Sequence, residues 1–161
     1  MSQAPLDAAQ RAVARSEIRA VLDRYGMLAR DLADFNRIAE DCFAPGAIYQ
    51  LPNGKEVPTT QLSDVIQGEE AKYIRHHVTT ADIKFVSATE AKVETNFIAH
   101  TDSASPDHWG SWKDTFVAQS DGTWKLQHRA IIIDDGVTHG WYMKQYGSVH
   151  QKPAQGNPHS W

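Results

Sequence analysis

The chain has 161 residues, 41% of them hydrophobic, with 16 Lys plus Arg against 20 Asp plus Glu and a formal net charge of −4. That length suits one domain with a sizeable core, and the mild, dispersed acidity argues against a nucleic-acid partner, which needs a basic patch. Mean hydropathy is −0.50, and no apolar run approaches the roughly 18 residues of a membrane span, so no membrane partner is expected. The single cysteine, Cys42, excludes an internal disulfide and a multi-cysteine metal site. The N-terminal stretch lacks the apolar centre of a secretory signal, and a cytoplasmic α+β domain is expected.

In chain order, Ile18, Val21, Leu22, Tyr25, Leu28, Ala29 and Leu32 form one stripe at helical period. Asp7 with Gln10 three residues on is the early capping candidate for this helix, and Ser16 the later one. A second helix is predicted from Asp34, with Phe35, Ile38, Ala39 and Cys42 inward, stopped by Ala44-Pro45-Gly46. Residues 47–51 read as a short strand, closed by the turn signal Pro52-Asn53-Gly54. Residues 61–72 carry a loose helical pattern.

Four long strands follow, over 76–85, 91–101, 109–119 and 124–134, the last two joined by the Ser120-Asp121-Gly122-Thr123 hairpin turn. Short sequential connections predict an antiparallel meander. Residues 1–142 are expected to form the domain. Residues 143–161, rich in Gly, Pro, Gln, Ser and His, read as a tail or arm, either disordered or docked.

Glycine-rich phosphate loops, Gly-x-Ser-x-Gly elbows and zinc-type histidine motifs are absent, so neither metal nor cofactor is expected. The eight histidines are dispersed. His76 and His77 are adjacent in a predicted strand and must point to opposite faces. Asp31 lies on the flank of the helical stripe, where a carboxylate can reach an imidazole without entering the core. Such a pair would act as a general base and its orienter; alternatively Asp31 is a solvated helix-end carboxylate, and His76 and His77 are half-buried and bonded to backbone.

The order of Ile18-x-x-x-Leu22-x-x-Tyr25, Asp31-x-x-Asp34-Phe35, Cys42-Phe43-Ala44-Pro45-Gly46-Ala47-Ile48-Tyr49, Arg75-His76-His77-Val78, Trp112-Lys113-Asp114 and Asp121-Gly122-Thr123-Trp124-Lys125-Leu126-Gln127-His128-Arg129 resembles the SnoaL-like branch of the nuclear-transport-factor-2-like superfamily. Gly46 stands where that branch commonly has Asp. The resemblance covers residues 14–135. It implies a cone-shaped α+β barrel, a curved, mainly antiparallel sheet wrapped around the N-terminal helices and enclosing an apolar pocket. Scytalone dehydratase, hexachlorocyclohexane dehydrochlorinase and polyketide cyclases belong to this superfamily, beside non-catalytic members.

The dehydratase and dehydrochlorinase use an Asp–His dyad, and the matching positions here are Asp31 and His76. The implied function is cofactor-independent acid–base catalysis (lyase, dehydratase, isomerase or cyclase) on a small apolar, aromatic or polyketide-like molecule. A non-catalytic ligand-binding or assembly module is the alternative, and a homo-oligomer, dimer or trimer, is expected. Tyr25 and Tyr49 read either as donors to a substrate oxygen or as core. Phe97 and Trp112, with Trp109 and Phe116, read as pocket walls or plain core. His100 is either a further acid–base group or an exposed strand-end histidine. Only one of His128 and Arg129 can face the pocket, and His128 is the expected one.

Overall fold

The computed structural model describes residues 4–30, 34–65 and 71–147. Helix α1 (Ala8–Leu28) starts at the early candidate: Asp7 Oδ1 accepts from Gln10 N at 2.8 Å, and Gln10 Oε1 from Asp7 N at 2.9 Å. These reciprocal bonds satisfy two helix-end donors that would otherwise lack partners. Its buried residues, Ala14, Ile18, Leu22 and Tyr25, fall on one stripe and pack on the sheet. Helix α2 (Phe35–Cys42) is capped by Asp34, whose carboxylate accepts from the backbone N–H groups of Asn36 and Arg37.

Strand β1 (Phe43–Gln50) follows α2 without a loop, earlier than the predicted 47–51. Ala44, Pro45 and Gly46 therefore lie inside the strand, at an irregularity in its pairing where Gly46 takes φ +73°. Pro supplies no ladder donor and Gly permits positive φ, so the stretch is tolerated as a break in pairing. The turn after β1 leads to a short strand not foreseen, β2 (Glu56–Pro58). A single 3₁₀ turn (Thr59–Gln61) and α3 (Leu62–Val65) come next. Of the predicted helical pattern over 61–72, residues 62–65 are helical and 71–72 are not; residues 66–70 lie outside the described residues.

The long strands β3 (Ile74–Phe85), β4 (Glu90–Thr101), β5 (His108–Ala118) and β6 (Trp124–Gly136) lie where expected, to within two residues. They form an antiparallel meander, and β1 joins β6 in parallel, giving a six-stranded mixed sheet of order β2-β1-β6-β5-β4-β3. β2 and β3 are its two edges, so the sheet is curved and open, with the helices against its inner face. Helix α4 (Trp141–Tyr146) ends at Gly147 in the left-handed conformation (φ +72°). The first part of the predicted tail is therefore folded; residues 148–161 lie outside the described residues. No helix among the described residues is long and apolar enough to cross a membrane.

Candidate active site

Side chains on the inner face of β3, β4 and β5 line up in rows set by register. His76 of β3 pairs with Ala99 of β4, which pairs with His108 of β5. Only the methyl group of Ala99 separates the two imidazoles, whose centroids lie 6.2 Å apart. The His76 ring also meets Phe97 at 5.3 Å and Trp112 at 5.5 Å, while Phe97 stacks on Trp112 at 5.1 Å. Against the backbone at this point lies Gly26 of α1, where an added Cβ would sit 3.7 Å from the His76 carbonyl oxygen.

Another row carries Asp114 of β5, Arg129 of β6 and Tyr49 of β1. Arg129 and Asp114 are fully buried and joined by two parallel bonds, Nε to Oδ1 at 2.9 Å and Nη2 to Oδ2 at 2.7 Å. The planar guanidinium suits both this fork and the aromatic faces around it. It lies 4.1 Å from the Tyr25 ring centre and 4.0 Å from that of Trp112. Burial disfavours the Arg129 charge, but the ionic contact with Asp114 outweighs it and holds the guanidinium pKa above its ordinary value. Tyr25 and Tyr49 share a hydroxyl–hydroxyl bond of 2.7 Å. Burial pushes both phenols up, so both stay neutral.

His76 is strongly perturbed by this interior. Burial above all, with the neighbouring His108 ring and the Arg129 guanidinium also disfavouring a further positive charge, lowers it to about 3, leaving a neutral imidazole at ordinary pH. Its Nδ1 is buried and has no hydrogen-bond partner among the described residues, as also holds for Trp112 Nε1, Arg129 Nη1, Thr95 Oγ1 and the Tyr142 hydroxyl. Buried polar atoms are ordinarily paired, and these five keep unused hydrogen-bonding capacity.

Of the residues expected at the site, the structure brings together His76, Tyr25, Tyr49, Phe97 and Trp112. It places His100 on the outer face instead, edge-on to His77 at 4.9 Å and with Nδ1 2.6 Å from Ser105 Oγ. Even alternation along β4 turns Phe97, Ala99 and Thr101 inward, and His100 consequently out.

The choice between His128 and Arg129 is also corrected. Thr115 pairs with His128 but Phe116 with Leu126, so Gln127 is an extra residue that shifts the inward phase. Trp124 and Leu126 point inward, as does Arg129, while His128 lies outside, 3.6 Å from Glu56. Asp31 lies outside the described residues; the preceding Arg30 accepts a backbone bond from Ile74, two residues before His76, at 2.9 Å.

His108 and Asp107 are not among the residues that the sequence predicts for the site. His108 lies an even number of residues before Trp112 and Phe116, so strand periodicity alone puts it on their face. Asp107 is fully buried. Its carboxylate accepts from His108 Nδ1 at 2.7 Å, Thr101 Oγ1 at 2.8 Å and the backbone N–H groups of Tyr142, at 3.1 Å, and Trp141. Among the described residues, no group of three or more His, Cys, Asp and Glu is arranged to hold a metal ion.

Comparison with known structures agrees with this architecture. A protein described as a scytalone dehydratase from Novosphingobium aromaticivorans DSM 12444 is 21% identical, with a TM-score of 0.68 over 81% of this chain and 91% of that one. Hexachlorocyclohexane dehydrochlorinase LinA-type3 from Novosphingobium barchaimii LL02 is 13% identical, with a TM-score of 0.66 over 81% and 93%. The β subunit of a protein described as an aromatic-ring-hydroxylating dioxygenase, from the same N. aromaticivorans strain, is 22% identical, with a TM-score of 0.62 over 80% and 93%. At these identities the likeness is one of fold. A comparison with curated proteins yields no match. Residues 10–130 match the SnoaL-like domain, three quarters of the sequence, and the chain belongs to that family.

Proposed function

We propose that the protein is a cofactor-independent acid–base enzyme of the lyase type, eliminating water or another small group from a small apolar, aromatic or polyketide-like molecule. Isomerase or cyclase chemistry draws on the same groups. The observation that carries this reading is the His76 imidazole, neutral, walled by Phe97 and Trp112, with a buried Nδ1 that bonds to none of the described residues. A base in that position can take a proton from carbon or hydroxyl without water competing for it. Asp31 is assigned as its orienter, stabilising the imidazolium that forms. Support for this comes from the Arg30–Ile74 backbone bond, which ties the residue before Asp31 to the strand that carries His76. Two of the fold relatives bear the names of elimination enzymes, a dehydratase and a dehydrochlorinase.

The test is a thermal-shift screen of small aromatic alcohols and ketones, followed by turnover of the stabilising compounds by wild type and His76→Ala. The expected loss is of order 10²- to 10⁴-fold; equal rates would remove His76 from the mechanism.

The likeness to a dioxygenase β subunit favours a second reading, an assembly module. The outer face of the sheet, with Ile98 38% exposed beside His77 and His100, is the surface assigned to self-association in either reading. Sedimentation of wild type and Ile98→Lys tests it, with a fall in mass expected for the variant. An assembly module that binds but does not turn over any compound in the screen would displace the enzyme reading.

A further inference from the structure

We propose that Asp107 and His108 form a second acid–base dyad of the same interior, with His108 Nε2 presented to a bound molecule across Ala99 from His76. The proposal rests on the elimination reading above and adds to His76 a second pair of residues able to carry the proton.

The geometry is that of a base with a fixed orienter. Nδ1 of His108 is engaged by Asp107 at 2.7 Å, so the neutral ring carries its proton there and its lone pair on Nε2. The ring faces His76 at 6.2 Å, Phe97 at 6.1 Å and the Tyr142 ring at 4.9 Å, within the aromatic interior already described.

Asp107 is held from every side. Besides its side-chain contacts, its N–H donates to Ala99 O, and its own carbonyl accepts from Val137 N, both at 2.8 Å. The chain leaves room for its carboxylate by placing glycine at position 140: an added Cβ would sit 2.7 Å from Asp107 Oδ2. Burial pushes the Asp107 carboxyl up, but the bonds from His108, Thr101, Tyr142 and Trp141 prevail and hold it below its ordinary value. Burial likewise lowers His108, against the pull of Asp107. The dyad is therefore ionised carboxylate plus neutral imidazole, the state from which a base acts.

Tyr142 contributes from α4. Its hydroxyl is buried without a partner among the described residues, and burial, then Tyr146, pushes it up to about 12, so it remains a hydrogen-bond donor. The same carboxylate that orients His108 receives the first N–H groups of α4, so the helix that delivers Tyr142 and the base are fixed by one side chain.

In an elimination, the substrate C–H proton passes to His108 Nε2 and the C–H electron pair becomes the new double bond. The leaving group departs with its bonding pair and takes the proton back from the imidazolium. Asp107 stays ionised throughout, and the dyad ends as it began.

The test uses the full chain and the chromogenic probe 5-nitrobenzisoxazole, which needs only a base in an apolar site. Its ring C–H proton goes to the base, the C–H pair completes a nitrile, and the N–O bond breaks to release a phenolate. Wild type is expected to outpace free imidazole at equal pH, and His108→Gln to lose about 10²-fold. Asp107→Asn keeps an acceptor for Nδ1 but no charge to stabilise the imidazolium, so the apparent pKa of its pH–rate profile is expected to fall. An unchanged profile assigns Asp107 to clamping α4 alone and overturns the dyad.

Loss in His76→Gln with full activity in His108→Gln overturns the dyad and leaves the His76 assignment standing; the opposite pattern supports the dyad and removes His76. A wild type no faster than imidazole overturns the proposal. Should the variants fail to fold, ¹⁵N-histidine spectra of wild type with 5-nitrobenzotriazole, an unreactive isostere, decide: a shifted His108 Nε2 supports the dyad, and an unmoved one overturns it.

Discussion

His76 and His77 are neighbours on β3, yet one turns its ring to Phe97 and Trp112 inside the sheet and the other to His100 outside it. The same division recurs on β6, where Arg129 is fully buried on Asp114 while His128, one residue earlier, meets Glu56 at the surface. Neighbouring polar side chains thus meet opposite fates one residue apart. Inside, a polar group must find a partner, change its protonation or serve a ligand; outside, water supplies what the protein does not. Function is therefore to be sought among the inner-face groups whose partners are incomplete.

The comparison breaks most sharply at Arg129. Arg129→Leu leaves the Asp114 carboxylate buried without its counter-charge, and the expected loss is about 3–5 kcal/mol of folding stability. Replacing both residues with apolar ones of similar volume should recover most of that loss, because no charge remains to be buried. Urea unfolding of the single and double variants measures both. A single variant as stable as wild type would show that the pair is wet, and the contrast between faces would lose its basis.

The next effect is on pH dependence. His76 titrates near 6.5 when unfolded but about 3 when folded, so between these values the unfolded chain binds the extra proton. Stability then rises with pH through this window, and is lost progressively as pH falls from about 6.5 toward about 3. His108, also lowered by burial, contributes with the same sign. His76→Gln should flatten this acid limb, whereas His77→Gln should leave it in place; unfolding free energies across the window decide between them.

How far this contrast was readable in the sequence depends on how well simple periodicity survives. The stripe of α1, the start of α2 at Asp34 and the four long strands follow directly from period and turn residues. Phe97 and Trp112 follow from alternation. Arg129 did not, because the extra residue at Gln127 inverts the phase midway along β6, and a bulge has no composition signal when its residues are ordinary strand formers. Glycine at 110 marks the other break: an added Cβ would lie 2.0 Å from the Ile132 carbonyl oxygen, a backbone approach that no sequence pattern announces. Asp107 was obscure for a different reason. Its partners come from β4, β5 and α4, and α4 lies partly in a stretch whose Gly-, Pro- and Gln-rich composition reads as tail.

A smaller change sharpens the picture at the Tyr25–Tyr49 contact. Tyr49→Phe removes one buried hydroxyl bond of 2.7 Å. Tyr25 keeps its ring contact with the Arg129 guanidinium at 4.1 Å, so the expected cost is about 1 kcal/mol. Thermal unfolding reads this out, and a loss as large as that of Arg129→Leu would mean that the two phenols orient the guanidinium.

The smallest effect belongs to the outer face. His128 and Glu56 form a surface contact of 3.6 Å, with the two side chains 33% and 60% exposed. Solvent screening and side-chain entropy leave such pairs with little net value, so His128→Ala should change stability by no more than about 0.5 kcal/mol. The same limit applies to His100→Ala, whose Ser105 partner can turn to water. These variants give the inner-face substitutions their control, since they remove the same imidazole from the same sheet. If either cost as much as His76→Gln, burial would not be what separates the two faces, and a partner covering the outer one would have to account for the loss.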